Sequence, residues 1–305
     1  MSEKTVQFGA FKTLVGVISE PQAPAGRGPA VILSNAGLIH RIGPNRIYVK
    51  LARLLAQQGF IVLRFDLSGV GDSLPRPDLM PVEQFTIADV TQAMDYLAQA
   101  YGSQRFVLMG HCAGAYHSFR TAAQDARVAG VVMINPDGGE ADWVDYDRKR
   151  KLARYYENYY GKKVLLDPQR WKRFFNGQIS YRDVLKNILK NVLWNRISGL
   201  FFRIRQRLAA PKPAAAGPQQ LFSIEAILAK LGELELTALL IYSENSTGLE
   251  RVQTGMGKTL KQLRAAGKLT FAVIPGADHI FSPLASQARL FETIQAWLGS
   301  ISEPR

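Results

Sequence analysis

Buried strands and amphipathic helices alternate through most of the first 136 residues, and this order restricts the fold more than any other feature of the sequence. Short apolar runs bounded by small residues are typical of buried parallel strands, and apolar residues spaced by about 3.6 are typical of helices. The predicted strands lie at 30–37, at the start of 60–73, at 105–110 and at 128–136, and the predicted helices at 46–58, 85–102 and 115–124. Strands joined by helices favour a parallel sheet with right-handed crossovers.

The alternation stops after residue 136 and resumes at residue 235. The resumed pattern is a strand at 235–245, a helix at 255–267, a strand at 268–279 and a helix at 286–301, and a hairpin at 5–19 precedes the first part. Thr86 is the expected N-cap of the helix at 85–102. The sequence therefore predicts one α/β core in two parts, residues 1–136 and 235–305, with residues 137–234 inserted between them.

Composition limits the class of protein. The chain has 305 residues, of which 47% are hydrophobic and 21% charged, and this suffices for one large α/β domain. One cysteine makes no internal disulfide, and four histidines without HxH, HExxH or CxxC spacing argue against a zinc site. Neither a signal peptide nor a transmembrane segment is evident in the sequence. We expect a cytoplasmic protein that needs no cofactor, and its oligomeric state is left open.

The single cysteine stands in the segment Gly110-His111-Cys112-Ala113-Gly114, between a predicted strand and a predicted helix. A nucleophile elbow needs this setting, because a strained turn carries the nucleophile and only small neighbours let strand and helix approach. The helix N-terminus favours a thiolate and directs the next N–H at a developing oxyanion. Cys112 is the candidate nucleophile and Ala113 the first oxyanion donor. His111 is expected to pack behind the nucleophile, among the residues close to the substrate.

An elbow also requires a base and a second oxyanion donor elsewhere in the chain. His279 follows the last predicted strand and is the candidate base. The backbone N–H of Leu38, in the loop after the first core strand, is the candidate second donor, and Gly37 lets this backbone approach the substrate. His40 and Arg41 follow in the same loop, where they either line the pocket or cap the next helix.

Three segments resemble the α/β-hydrolase superfamily. DLSGVGDS at 66–73 resembles its DxxGxGxS turn, and GADH at 276–279 resembles its histidine loop. The longer stretch at 35–73 is similar to the α/β-hydrolases associated with exosortase and exopolysaccharide gene clusters, near the serine-aminopeptidase-like group. The resemblance implies an α/β-hydrolase fold, with a mostly parallel sheet, flanking helices and a helical cap, and a hydrolase activity. Cys112 stands where the superfamily's nucleophilic serine is expected.

The third member of the catalytic triad departs from the superfamily pattern. The resemblance implies an aspartate after the strand at 235–245, and this chain has Ser246 there. Three alternatives remain open: Asp137 after the preceding strand supplies the acid, Glu244 supplies it, or the site works as a Cys–His dyad. The dyad is chemically reasonable because a thiol, whose unperturbed pKa is about 8.5, requires less activation than a hydroxyl does.

Most of the net charge belongs to the insertion. Residues 143–208 hold 17 Lys and Arg against 5 Asp and Glu, which is +12 of the chain's net charge of +13. Residues 183–208 predict a basic amphipathic helix, and 209–220 predict a flexible linker. The insertion is either a plain lid with solvated charges, a docking surface for an acidic acyl carrier protein, or a surface for an anionic membrane. No module for nucleic-acid recognition accompanies the charge.

Together these features predict an acyl hydrolase, of the esterase or thioesterase type, or an acyltransferase. Cys112 attacks the carbonyl of an ester or thioester, and His279 acts as general base. The resemblance favours hydrolysis, while acyl transfer or cyclisation remains open because a thioester reacts readily with amines. The alternative from another class is a catalytically silent protein of the same fold that binds an acidic partner.

Overall fold

The computed structural model describes residues 1–22, 28–37, 39–78, 80, 82–136 and 223–302. Eight strands lie within these residues: β1 (Ser2–Phe8), β2 (Leu14–Glu20), β3 (Ala30–Ser34), β4 (Val62–Phe65), β5 (Phe106–His111), β6 (Val128–Ile134), β7 (Thr237–Ser243) and β8 (Leu269–Ile274). They form one sheet in the order β1-β2-β4-β3-β5-β6-β7-β8. Strand β2 runs antiparallel to β1 and β4, and all pairs from β4 to β8 are parallel. The predicted α/β fold with a mostly parallel sheet is confirmed.

Helices cover both faces of this sheet. In chain order they are α1 (Ile47–Gln57), α2 (Val82–Tyr101), α3 (Ala113–Ala122), α4 (Ile224–Leu231), α5 (Thr247–Gly255), α6 (Gly257–Ala265) and α7 (Leu284–Ser302). Side chains alternate between the faces of a strand. In β3, Val31 and Leu33 pack into a cluster with α1 and α7, whereas Ile32 packs into a cluster with α2 to α6.

The start of α2 differs from the prediction. The helix begins at Val82, directly after Pro81 in the sequence, whereas the sequence predicts its N-cap at Thr86. Thr86 lies in the second turn and is only 1% exposed, so it packs inside the helix layer and caps nothing. Proline commonly precedes or opens the first turn of a helix, and this signal outweighs a threonine further along.

Part of the predicted insertion packs with the core. Helix α4 lies between residues 137 and 234, and its residues Ile224, Ile227 and Leu228 are buried in the same cluster as α2 and α3. Residues 137–222, with the predicted basic cap and linker, lie outside the described residues, and the predicted domain boundaries stay predictions. Within the described part of the chain, no helix has both the length and the apolar composition of a membrane span.

Candidate active site

Cys112 occupies a sharp turn between β5 and α3. Its backbone has φ 54° and ψ −119°, a conformation that residues with a Cβ rarely adopt outside strained functional sites. The N–H of Cys112 donates to the carbonyl oxygen of Ile134 at 2.9 Å, which ties the turn to the end of β6. Cys112 is half-buried.

The two flanking glycines leave no room for a side chain. A Cβ on Gly110 would lie 2.0 Å from the backbone carbon and oxygen of Gly114. A Cβ on Gly114 would lie 2.4 Å from the carbonyl oxygen of Asn35 and 2.8 Å from that of Ser34. The first turn of α3 is therefore pressed against the end of β3, and the elbow lies beside the loop that follows β3.

The oxyanion donors are only partly described. Ala113 is the first residue of α3, so its N–H has no partner within the helix and is free to bind outside it. Leu38 lies outside the described residues. On either side of it, Gly37 has φ 59°, and the N–H of Ile39 donates to the carbonyl oxygen of Ala36 at 3.1 Å. The assignment of Ala113 and Leu38 as oxyanion donors stays a prediction.

A fully buried carboxylate holds this loop in place. Asp66 accepts hydrogen bonds from the side-chain amide of Asn35, at 3.2 Å, and from the backbone N–H of Arg41, at 2.5 Å. The Asn35 amide nitrogen also donates to the carbonyl oxygen of Ile39 at 2.9 Å, and its Oδ1 accepts from the N–H of Leu67 at 2.6 Å. Both ends of the 35–41 loop are thus tied to the end of β4.

The side chain of Arg41 belongs to the same brace. Its guanidinium pairs with Asp66 through one nitrogen and with Asp72 through another, the second pair at 2.6 Å. Asp66 and Asp72 thus brace their turn through Arg41, and Asp66 also accepts from the N–H of Asp72 at 3.1 Å. Substrate contact by Arg41, by the exposed His40 and by Gly37 stays a prediction, and the two carboxylates give Arg41 a bracing role.

The two ion pairs of Arg41 predict different losses of stability. Arg41→Ala leaves the Asp66 carboxylate, 0% exposed, without its cation, and we expect the free energy of unfolding to fall by about 3 kcal/mol. Asp72→Asn breaks a pair whose carboxylate is 65% exposed, and we expect a loss within about 1 kcal/mol. Urea unfolding of both variants measures the difference. Equal losses would contradict the larger contribution of the buried Arg41–Asp66 pair to stability.

His279 lies in the loop between β8 and α7, beside the elbow. Its backbone carbonyl oxygen accepts from Nε2 of His111 at 2.6 Å and from Nδ2 of Asn135 at 2.8 Å. The imidazole rings of His111 and His279 are 4.8 Å apart between centroids, at 59° to each other. His111 is buried and precedes Cys112 in the chain, so its contacts bring the His279 loop to the nucleophile turn.

Two buried residues near the site were missed by the sequence analysis. Asn135 follows β6, is 0% exposed, and accepts through Oδ1 from the N–H of Ser243 at 2.7 Å. Tyr48, on α1, accepts from the N–H of His111 at 2.9 Å and donates to the carbonyl oxygen of Ser34 at 2.8 Å. Burial raises the pKa of Tyr48 well above its ordinary value, so the phenol keeps its proton. A polar residue directly after a buried parallel strand was the available signal for Asn135.

The triad acid remains open. Glu244 is exposed and accepts from the N–H of Gly276 at 2.8 Å, in the turn that precedes His279. Ser246 is buried at the N-cap position of α5. Asp137 lies outside the described residues, so the three alternatives stay as predicted. Among the described residues, no group of three or more His, Cys, Asp or Glu side chains is placed to hold a metal ion.

A mostly parallel sheet of this strand order, with a strained turn after β5 and a histidine after β8, defines the α/β-hydrolase fold. The model of the alpha/beta hydrolase fold family matches residues 36–281, and the chain belongs to this family. The predicted resemblance to the superfamily is thereby confirmed. The narrower resemblance to exosortase-associated members stays a prediction, as does the replacement of a catalytic serine by Cys112.

Relatives by sequence include esterase EstD of Thermotoga maritima, 30% identical over 146 residues, which are 46% of this chain and 35% of that protein. The uncharacterized protein YcjY of Escherichia coli K12 is 30% identical over 86 residues, 28% of each chain. These matches span about a third of the relatives' own lengths.

Relatives by structure share the fold at low identity. The dienelactone hydrolase of Anabaena variabilis superposes with a TM-score of 0.56 at 13% identity over 99% of both chains. The esterase of Thermogutta terrifontis superposes with a TM-score of 0.53 at 17% identity over 99% of this chain and 100% of its own. At such identities these similarities speak for the fold alone.

Proposed function

We propose that the protein is an acyl hydrolase of the esterase or thioesterase type, working through a covalent acyl-Cys112 intermediate with His279 as general base. The strained elbow carries the proposal: Cys112 has φ 54° between two glycines that admit no side chain, at the start of α3. The contacts of His111 with His279 support the choice of base. The partial similarity to esterase EstD supports the reaction class.

The chemistry follows in two steps. The imidazole of His279 takes the proton of the Cys112 thiol, and the sulfur attacks the acyl carbonyl carbon of the substrate. The bond to the leaving alcohol or thiol breaks, His279 protonates that group, and a thioester remains on Cys112. In the second step His279 takes a proton from water, the hydroxide attacks the thioester, and the thiol recovers the proton. The N–H of Ala113 stabilises the oxyanion in both steps.

The acceptor in the second step distinguishes hydrolysis from acyl transfer. An amine or alcohol that reaches the thioester before water gives an acyltransferase with the same intermediate. The basic residues at 143–208 favour an acidic acyl donor, such as an acyl carrier protein. This partner and the cytoplasmic location stay predictions.

Trapping the intermediate tests the proposal. Intact-mass measurement after brief incubation with a panel of short and long p-nitrophenyl esters and acyl thioesters is expected to show one acyl adduct on the wild type. Neutral hydroxylamine should remove the adduct, since it cleaves thioesters readily, and peptide mapping should place it on Cys112. Cys112→Ala is the control and should stay unmodified. An unmodified wild type across the whole panel, without turnover, would favour the catalytically silent binding protein.

A further inference from the structure

One backbone carbonyl receives two side-chain hydrogen bonds from two different strand ends. It belongs to His279, and its donors are Nε2 of His111, at the end of β5, and Nδ2 of Asn135, just after β6. The distances are 2.6 and 2.8 Å. Because a carbonyl oxygen only accepts, Nε2 of His111 must carry the proton. Both lone pairs of the oxygen are then occupied.

Two donors fix the orientation of the peptide group after His279, which a single donor would leave adjustable. A carbonyl held by one hydrogen bond can rotate about that bond, whereas two donors from different directions define the plane of the peptide group. The peptide group after His279 is attached to the Cα that carries the imidazole. Holding its plane therefore limits the directions in which the ring can extend.

The two donors are themselves held by the core. Asn135 is 0% exposed, its N–H donates to the carbonyl oxygen of Ile241 at 2.8 Å, and its Oδ1 accepts from the N–H of Ser243. His111 is 1% exposed, and its N–H donates to the hydroxyl of Tyr48. His111 and Asn135 together form a clamp on the carbonyl of His279. This clamp is joined to β7 through Asn135 and to α1 through His111.

The rest of the loop has independent anchors. The N–H of Ser282 donates to Oδ1 of Asp278 at 2.8 Å, and Phe281 is 0% exposed in the cluster with α1 and α7. The side-chain amide of Asn45 donates to the carbonyl oxygen of Ile280 at 2.9 Å. Loss of the clamp on His279 should therefore leave the loop folded and change the aim of one residue.

We propose that His111 and Asn135 are positioning residues that aim the imidazole of His279 at the thiol of Cys112. The inference rests on the proposed function, since it needs His279 to act on Cys112. The proposal assigns His111, the residue before the nucleophile, a role in orienting the base His279.

Alkylation of Cys112 by iodoacetamide, followed by mass spectrometry from pH 5 to 9, tests the clamp without any substrate. The chain has one cysteine, so the reaction reports one site. If His279 takes the thiol proton as the sulfur attacks, the wild type should be alkylated faster below pH 7 than His279→Ala, which lacks this base. His111→Leu, which removes the donor, should react at least about tenfold more slowly than the wild type at pH 6, because small displacements of a catalytic group have large effects. His111→Gln, which restores an N–H donor, should recover most of that rate.

Asn135→Asp and Asn45→Asp form a matched pair for the second donor. Each replaces an amide that donates to a carbonyl of the same loop, at His279 or at Ile280. Asn135→Asp should lose the fast reaction at pH 6 and Asn45→Asp should keep it. Because a negative charge at position 135, next to the Ile134 carbonyl that binds the N–H of Cys112, would also repel a developing thiolate, a loss supports the positioning role only if the uncharged Asn135→Leu shows it as well. Circular dichroism and Tm establish that each variant is folded, and His111→Met replaces His111→Leu if the latter does not fold.

The outcomes distinguish a failure of the proposed function from a failure of the positioning role of His111 and Asn135. Equal alkylation of wild type and His279→Ala at every pH would overturn the proposed function, and the inference with it. If the wild type and His279→Ala do differ, the proposed function stands, and either of two results would overturn the inference alone. In the first, His111→Leu and His111→Gln react at the same rate, and in the second, Asn135→Asp reacts at the rate of Asn45→Asp.

Discussion

Cys112→Ala is expected to lower kcat/KM for an activated acyl ester by at least about 10³-fold, because no other group replaces the attacking sulfur. The substitution keeps the Cβ and the backbone conformation of the elbow, so the free energy of unfolding should change little. Steady-state hydrolysis of a p-nitrophenyl ester, measured with Tm, gives both numbers. Residual activity close to that of the wild type would show that the chemistry does not pass through Cys112.

Two further substitutions at this position serve as controls. Cys112→Gly should be as inactive as Cys112→Ala but more stable by about 1 kcal/mol, because glycine adopts φ 54° without strain. Cys112→Ser examines the open question of the acid. A hydroxyl needs a stronger base than a thiol does, so a Cys–His dyad predicts that the serine variant is nearly inactive. Substantial activity in Cys112→Ser would indicate that an acid supports His279.

Gly110→Ala is expected to lower the free energy of unfolding by more than about 4 kcal/mol, or to prevent folding. The added Cβ would lie 2.0 Å from backbone atoms of Gly114, and backbone cannot give way as the end of a side chain can. Urea unfolding followed by circular dichroism measures the loss. Gly110 does not have a positive φ, so the effect would come from the contact and not from backbone strain.

Gly299→Ala is the matched control for this substitution. Gly299 lies inside α7, it likewise has no positive φ, and an added Cβ meets no atom within 4 Å. Alanine there should be neutral or stabilise the protein by up to about 1 kcal/mol, since it is the better helix former. If Gly110→Ala were as stable as Gly299→Ala, the close approach of strand and helix at the elbow would be wrong.

The sequence predicts the sheet better than it predicts the helices of the second part. Strands β3 to β8 are short apolar runs and were all expected close to where they lie. Helix α5 was not expected, because its sequence TGLERVQTG contains two glycines and two threonines, which are weak helix formers. The helix is stabilised by the burial of Leu249 and Val252 in the core, a tertiary contact that local sequence does not reveal.

The residues of the candidate site also differ in how well the sequence predicts them. Cys112, Ala113 and His279 follow from motifs in which a few neighbouring residues carry the signal. Asn135 acquires its role only because β6 lies between β5 and β7, which brings its side chain to Ser243, 108 residues further along the chain. The supporting contacts of the site therefore depend on strand order, which single motifs do not contain.

The bonds that Asn135 makes with β7 also bear on how this protein can change over evolution. They join the ends of two strands at the place where the chain leaves the sheet, before residues 137–222 and the return through α4. With the strand ends already joined, doubling the length of the intervening segment would cost only about 0.6 kcal/mol of loop-closure entropy. Descendants of this chain can therefore gain, lose or exchange that segment at little cost in loop-closure entropy, while the elbow and its histidine stay in place.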